Sequence, residues 1–455
     1  MIIDALVAEI GSTTTVINAF DRLDTREPVF LGQGQAPTTV EAGDVSQGLQ
    51  EALGALRDNL GVSELSWRKM LASSSAAGGL RMTVHGLVYD MTVRAAREAC
   101  LGSGAVLKYV TSGKMRKSDL RKISELRPNI IFIAGGTDYG ERDTALYNVE
   151  LVMQKFPEIP LIYAGNIANH EDIADLGESY GVKVFITENV YPSLDELNIL
   201  PARSLIHEVF QENIVHSPGM GRIREMVDGA IMPTPGAVME AAILLQAYLG
   251  DLLVMDVGGA TTDLHSVAEN NPYHVEFMVQ GEPFAKRTVE GDLGVFVNRF
   301  HVYEHFSENE KHVFKDIKDS LSDMPKIPQS PGELEIAECL TQKAGELALE
   351  RHVGSWKELF TVSGMQRFIS GKDLSSIKFA IGTGGALTRL PHGRDILQKL
   401  LAKPKRNLLL PSEKVEVLLD QDYIMASLGV LSQTWPTAAL RLLVKSLGLN
   451  PAQVQ

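Results

Sequence analysis

The feature that most constrains this chain is a strand–turn–strand pattern that occurs twice, once in each half. In Leu253-Val254-Met255-Asp256-Val257-Gly258-Gly259-Ala260-Thr261-Thr262-Asp263-Leu264-His265-Ser266 an apolar strand ends in an acid. Two glycines, two hydroxyls and a second acid follow before the next strand. A looser copy opens the chain, Leu6-Val7-Ala8-Glu9-Ile10-Gly11-Ser12-Thr13-Thr14-Thr15-Val16-Ile17-Asn18-Ala19-Phe20-Asp21. Glycine turns present backbone N–H groups that no side chain obstructs, which is what phosphate oxygens require. A carboxylate at a strand end suits magnesium, which keeps most of its waters and takes one or two protein acids. Either hairpin alone also reads as a tight β-turn in which Gly and Thr serve geometry. Two of them in one chain can grip a polyphosphate and its magnesium from opposite sides.

On this reading Gly11, Ser12, Thr13, Thr14, Gly258, Gly259, Thr261 and Thr262 are the phosphate-binding candidates. Glu9, Asp256 and Asp263 are the magnesium candidates. Phosphoryl transfer is mostly positioning plus charge stabilisation, so Glu9 or Asp256 can also orient the water that attacks a γ-phosphate. A third glycine turn, Ala380-Ile381-Gly382-Thr383-Gly384-Gly385-Ala386-Leu387, follows a strand pattern and opens a helical one. Gly382, Gly384 and Gly385 there offer flat backbone for an adenine or ribose, although strand-to-helix turns commonly carry glycine for geometry alone.

At 455 residues the chain exceeds one ordinary core, so two or three domains are expected. Apolar residues at 44% and charged residues at 22% leave little room for long disorder. A net charge of −14 opposes nucleic acid and anionic membrane surfaces. The one compact basic run, Lys403-Pro404-Lys405-Arg406, reads as a solvated loop. With only Cys100 and Cys339, a disulfide framework or a four-thiolate cluster within the chain is excluded. The chain starts directly on a strand without a charged-then-apolar leader, and it has no apolar run of about 18 residues. A cytoplasmic protein with no membrane or nucleic-acid partner is the expectation.

The first 75 residues read as three strands, a helix from Asp44 to about Asn59 and a further strand, which makes a mixed sheet. From about 80 to 195 strands and helices alternate regularly. Asn129–Gly136, Pro160–Asn166 and Val182–Thr187 are short apolar strands, with helices at 141–156 and 171–180, so a parallel sheet with crossover helices is expected. The boundaries drawn are 1–78, 229–250 and 420–455 for one lobe and 79–228 for an inserted α/β domain. A second lobe takes 251–419, with a helical region at 308–370.

Phosphate hairpin, Pro-led helix, phosphate hairpin, glycine-rich turn and Gly-containing helix, in that order, resemble the actin/hexokinase/Hsp70 ATPase superfamily. Pro233-Thr234-Pro235-Gly236-Ala237-Val238-Met239-Glu240-Ala241-Ala242 matches its first connecting helix and Ile424-Met425-Ala426-Ser427-Leu428-Gly429 its second. Together with Thr288-Val289-Glu290-Gly291-Asp292-Leu293-Gly294, these motifs make the chain similar, over nearly its whole length, to the MutL family of glutamate mutase accessory proteins (unrelated to the mismatch-repair protein of that name). The resemblance implies an α/β, actin-like (ribonuclease H-like) two-lobe ATPase with an inserted open α/β domain, ATP and Mg2+ as cofactors, and slow hydrolysis. It also implies a chaperone-like, reactivating role toward a subunit of an adenosylcobalamin-dependent carbon-skeleton mutase, and it leaves homo-oligomerisation open. One departure is that Glu9 stands where the superfamily usually has Asp.

A small-molecule kinase of the same superfamily is the alternative, though no carboxylate base for a substrate hydroxyl stands out between the hairpins. An electron-delivering activator needs more cysteines than the two present, and a filament-forming scaffold is the fourth reading. His85, His207, His216, His265 and His274 lack metal-ligand spacing and read as core or surface residues. Cys100 reads as a small buried residue. Ala134-Gly135-Gly136-Thr137-Asp138 and Tyr163-Ala164-Gly165-Asn166 end strands of the inserted domain, where open α/β sheets bind ligands. Plain strand-end turns are the simpler account, and the cobalamin signature Asp-x-His-x-x-Gly is absent.

Overall fold

The computed structural model describes residues 1–39, 45–75, 80–102, 105–194, 196–214, 220–229, 231–278, 282–313, 320–361, 364–402, 407–412 and 414–453. Asp44, His216 and the basic run 403–406 lie outside them. The chain forms two compact units, one of Met1–Ala76 with Pro218–Gln455 and one of Ala77–Ser217.

In the first unit, strands β1 (Ile2–Ile10), β2 (Thr14–Asp21) and β3 (Val29–Pro37) form an antiparallel meander. The helix Ser46–Leu60 then crosses to β4 (Ser66–Ser74), which runs parallel to β1. It stops at Gly61, whose left-handed backbone (φ 66°) costs an L side chain more than it costs glycine. Strands β5 (Leu80–Gly86), β6 (Ala105–Ser112), β7 (Ile130–Ile133), β8 (Leu161–Tyr163) and β9 (Val184–Ile186) belong to the second unit. They make a parallel sheet in the order β6-β5-β7-β8-β9.

The chain returns to the first sheet through the short β10 (Met232–Pro233), parallel to β4, giving the order β3-β2-β1-β4-β10. Strands β11 (Leu252–Val257), β12 (Thr262–Val267) and β13 (Ala285–Glu290) repeat the meander. After the separate hairpin β14 (Ser355–Thr361) and β15 (Gly364–Ser370), β16 (Phe379–Thr383) and β17 (Glu416–Leu419) run parallel to β11. The second sheet is therefore β13-β12-β11-β16-β17. Within each sheet's own strand sequence both orders are third, second, first, fourth, fifth. This duplicated mixed sheet, with an open parallel α/β unit inserted, is the actin-like architecture.

The helical passage expected for 308–370 ends at His352, and 355–370 is the β14–β15 hairpin. Its Lys and Glu residues invited a helical reading, but Trp356, a strand-favouring residue type, and Gly364 (φ 114°) at the start of β15 favour paired strands. The preceding helix Pro331–His352 starts where Ser330 and Glu333 form a capping box.

One apolar layer joins the two sheets of the first unit. Ala5 and Val7 of β1, Leu71 of β4, Leu252 and Val254 of β11, Val267 of β12, Ile381 of β16 and Leu418 of β17 bury into it. Between them lie the helices Thr234–Leu249, Met425–Leu431 and Pro436–Ser446, which contribute Ala237, Ala241, Leu428 and Leu442. The first two helices touch backbone to backbone, since a Cβ on Gly429 would collide with the Ala237 carbonyl. Gly429→Ala is expected to destabilise the protein by about 1–3 kcal/mol, the usual cost of overpacking, read as a lower urea midpoint with an unchanged m-value. Wild-type stability would show that the contact relaxes freely.

Candidate functional site

The apolar layer turns polar where the parallel strands end. Glu9 follows Ala5 and Val7 on one face of β1, and Ser73 follows Leu71 on the neighbouring face of β4. Asp256 continues Leu252 and Val254, Asp263 shares the face of Val267, and Thr383 and Asp420 continue Ile381 and Leu418. Side chains alternate along a strand with period two, so placing the apolar residues inward also turns these acids and hydroxyls inward.

The two hairpins have the same geometry. Ile10 pairs with Thr15 and the Gly11 N–H donates to the Thr14 carbonyl at 2.9 Å. Val257 pairs with Thr262 and the Gly258 N–H donates to the Thr261 carbonyl, also at 2.9 Å. Position for position, Glu9 corresponds to Asp256 and Val16 to Asp263. The tips meet, for a Cβ on Gly259 would stand 2.9 Å from Thr13 Oγ1. Each turn is braced from behind. The Ser12 hydroxyl donates to the Ser75 carbonyl at 2.8 Å, and the Thr38 N–H donates to the Thr13 carbonyl at 2.9 Å. In the second hairpin the Phe296 and Val297 N–H groups donate to the Gly259 carbonyl, and the Thr262 hydroxyl donates to the Leu293 carbonyl. These contacts occupy the Thr13 and Gly259 carbonyls and leave the Gly259, Ala260 and Thr13 N–H groups outside the backbone ladder.

The third glycine turn adjoins the second hairpin. Gly384 has φ 83° and packs against Asp256, where a Cβ would overlap the carboxylate. Both its backbone conformation and the space therefore require glycine. Gly382 lies in β16 under Leu397 and Leu419, whereas Gly385 opens the short helix Gly385–Thr388 with free space where a Cβ would be.

Asp420, Tyr423, Ser73 and Thr234 join the site without having been singled out in the sequence. Asp420 sits just beyond β17 and accepts hydrogen bonds from Thr383 Oγ1 (2.9 Å), the Ile424 and Met425 N–H groups (2.9 and 2.8 Å) and Ser446 Oγ (2.6 Å). It thereby fastens the second sheet to the start of the helix Met425–Leu431. Tyr423 adopts a left-handed backbone (φ 54°) and its hydroxyl donates to Glu9 Oε1 at 3.4 Å. The guanidinium of Arg389 lies 5.7 Å over the Tyr423 ring and hydrogen-bonds Gln33 of β3. An acid at a strand end just before a helix was the signal that could have found Asp420.

Burial raises all four acids, and a neighbouring carboxylate raises Glu9, Asp256 and Asp263 further. The Glu9 carboxyl is pushed up to about 8, first by burial and then by the Asp256 and Asp420 charges, with the Tyr423 hydrogen bond opposing. Asp256 is pushed up to about 7 by burial and by Asp420. Asp263 lies well above the usual carboxylate range through burial and Asp256, with Arg287 and Thr261 opposing. Asp420 is raised by burial despite its four donors. Among the described residues, Glu9 Oε2, Asp263 Oδ1, Ser73 Oγ and Thr234 Oγ1 are buried with no hydrogen-bond partner.

Unpartnered oxygens on acids raised by each other's charge fit a divalent cation, which would supply the missing partner and favour the ionised forms. Among the described residues no group of three or more His, Cys, Asp or Glu side chains is arranged to hold a metal. Magnesium, which asks for one or two protein carboxylates and several waters, suits such a site better than metals that need a protein cage. His85, His274 and His265 are elsewhere or inert. His85 bridges the Thr83 and Thr111 hydroxyls, His274 contacts Asp373 at 2.6 Å, and His265 is buried and held neutral.

For an acid whose folded pKa is raised, stability is fully present below the unfolded pKa and is lost as pH rises through the folded one. Without nucleotide or magnesium, the melting temperature is therefore expected to fall between about pH 5 and 8 as Glu9 and Asp256 ionise. Glu9→Gln should flatten that slope in a thermal-melt series. An equal slope in the variant would mean that Glu9 is already ionised at low pH.

The family described as MutL protein matches residues 5–447. Protein MutL of Clostridium tetanomorphum is 33% identical over 459 residues, covering 97% of this chain and 98% of that relative. Among solved structures, nucleotide-free acetone carboxylase shares 13% identity at a TM-score of 0.42, covering 94% of this chain and 70% of that one. A nucleotide-free diol dehydratase-reactivating factor shares 12% identity at a TM-score of 0.37, covering 95% and 99%. These structural likenesses are loose, and the fold is read from the strand order instead. The sequence match is not loose: it runs through both hairpins, the connecting helices and the inserted unit, and by it the chain belongs to the MutL family.

Proposed function

We propose that this MutL family member is an ATP-dependent, chaperone-like factor that reactivates an adenosylcobalamin-dependent carbon-skeleton mutase of the glutamate mutase type. The observation that carries the ATP part is the pair of hairpins, equal in register and meeting at Thr13 and Gly259, with Glu9, Asp256 and Asp263 on the faces behind them. The partner part is supported by family membership and by the resemblance to accessory proteins encoded beside such mutases.

In this reading the turn Gly11, Ser12, Thr13 and Thr14 holds the phosphates from one side, chiefly through the Thr13 N–H, since the Gly11 N–H and the Ser12 hydroxyl donate within the protein. The turn Gly258, Gly259, Thr261 and Thr262 holds them from the other, chiefly through the Gly259 and Ala260 N–H groups, since the Gly258 N–H and the Thr262 hydroxyl are likewise engaged. Gly382, Gly384 and Gly385 carry the adenosine. Asp256, Asp263 and Glu9 would hold magnesium, directly or through its waters, and the ion would neutralise charge on the phosphate oxygens. Glu9 and Asp256 orient the attacking water, with Tyr423 steadying Glu9. The two sheets act as lobes that close on the γ-phosphate and open after its loss, a known switching mode. The same reading places the protein in the cytoplasm.

Calorimetry is expected to show ATP binding that requires magnesium, and a phosphate-release assay slow turnover. Asp256→Asn should lower turnover on the order of a hundredfold, the scale of losing one electrostatic contact to the transition state. Glu9→Gln should retain ATP binding while turnover drops. Stimulation of turnover by the mutase, and by no small-molecule hydroxyl substrate, separates the chaperone from a kinase. A protein that binds no ATP in the presence of magnesium would end the proposal at its first step.

A further inference from the structure

The carboxyl edge of the inserted sheet carries a crown of exposed apolar side chains. Val88 (44% exposed) and Tyr89 (53%) follow β5, Tyr139 (83%) follows β7, Ile167 (46%) follows β8 and Leu194 (73%) follows β9. Since β5, β7, β8 and β9 are consecutive neighbours in the sheet, the loops that carry these residues stand side by side at one edge, and the Tyr139 and Ile167 loops are joined through Asn166 and Asp138. Scattered exposed apolar residues need no explanation, whereas a contiguous group with a polar rim marks an interaction site.

Three asparagines tie these loops together, although His170 Nε2 at their edge is buried without a hydrogen-bond partner. Asn166 Oδ1 accepts from the Tyr139 and Ala168 N–H groups at 2.9 and 3.0 Å, and its amide donates to the Gly140 and Glu141 carbonyls. Asn189 donates to the Gly136 carbonyl and to Asp138 Oδ1, which also accepts from the Ile167 N–H at 3.0 Å. Asn169 ties Arg142 to Tyr163, and the Asp138 N–H donates to the Pro192 carbonyl at 2.8 Å. The Asn166 bond holds Tyr139 in a left-handed conformation (φ 61°), uncommon for a non-glycine residue. The network thus bears the cost of displaying Tyr139 to solvent. Asn166, Asn169 and Asn189 spend their polar atoms inside the loops, so this edge is built as a surface and not as a small-molecule pocket.

The rim selects the partner. Glu141, Asp143, Glu171, Glu188 and Glu196 are exposed on these loops and helix starts, and the Arg142 charge is paired with Asp172 at 3.0 Å. The loop after β5 runs into Arg94, paired with Glu98, and Arg97, which donates to the Tyr89 hydroxyl, so the acidic character belongs to the β7, β8 and β9 loops, where Arg142 is the one Lys or Arg in 134–143, 164–172 or 187–196. An acidic rim repels nucleic acid, anionic lipid and a second copy of itself.

We propose that the carboxyl edge of the inserted unit is a docking surface for a partner protein with an apolar face and a basic rim, with Tyr139 as its central anchor. Rigid aromatic anchors give the best return on binding because little rotamer freedom is lost. Taking the mutase subunits as the probe rests on the function proposed above.

The test titrates each purified mutase subunit into the full-length chain, wild type, Tyr139→Asp and Ile167→Asp, at low and high salt. Asp is well tolerated in left-handed backbone, so the first variant should stay folded and its ATP turnover should match the wild type. Wild type is expected to bind one subunit more weakly as salt rises, and each variant at least about tenfold more weakly still. Binding unchanged in both variants overturns the docking surface and leaves the reactivating role standing. Wild type that binds neither subunit overturns the reactivating role, and with it this choice of occupant. Self-association of the wild type that Tyr139→Asp abolishes overturns the proposal in favour of a second copy.

Discussion

The close approach of two helices sets the geometry of everything else in the first unit. With Gly429 against the Ala237 carbonyl, the helices Thr234–Leu249 and Met425–Leu431 lie near enough for one apolar layer to serve both sheets. That layer fixes how far apart the two meanders stand, and therefore that their turns meet at Thr13 and Gly259. The small residues Ala237, Ala241, Ala242 and Gly429 at this contact are what permit it. Larger side chains would hold the sheets apart and open the space between the hairpins.

At its carboxyl edge the same layer collects charge. Glu9, Asp256, Asp263 and Asp420 each reach the edge because an alternating strand that buries its apolar residues must also turn the next residue inward. No Lys is among the groups acting on Glu9 or Asp256, and the neighbouring carboxylates raise both. A protein that keeps acids together in this way carries an electrostatic cost at neutral pH, and a bound cation is the simplest compensation. Asp420 differs from the other three. Its four donors make it a structural clasp between β17 and two helices, close enough for its charge to bear on Glu9 and Asp256.

Buried polar groups are treated differently at the two places. Along the hairpin strands and their neighbours, Glu9, Asp263, Ser73 and Thr234 leave oxygens without partners, the pattern of a site that a ligand completes. In the strand-end loops of the inserted unit, Asn166, Asn169 and Asn189 are saturated by backbone and side-chain partners, and exposed apolar residues face solvent within an acidic rim. The first arrangement suits a small charged ligand and the second a protein surface.

Much of this was legible in the sequence. Apolar runs ending in Glu9 and Asp256, glycine and hydroxyl turns, and the Pro235-led helix are local patterns, because strand alternation, turn chemistry and helix capping act over a few residues. They were enough for the duplicated hairpins, the inserted alternating domain and the family. The β14–β15 hairpin was misread as helix because charged residues on a solvent-facing strand carry little periodic signal. Asp420 left only the faint signal of an acid at a strand end before a helix, and Tyr423, Ser73 and Thr234 left none, since each matters through neighbours far along the chain or across a sheet. The crown on the inserted unit needed the strand order, which a sequence of alternating strands and helices does not fix. The sequence by itself determined which chemical groups sit at each strand end. Only the tertiary structure decided which of them meet, because burial, repulsion and the lack of a hydrogen-bond partner are properties of the packed neighbourhood.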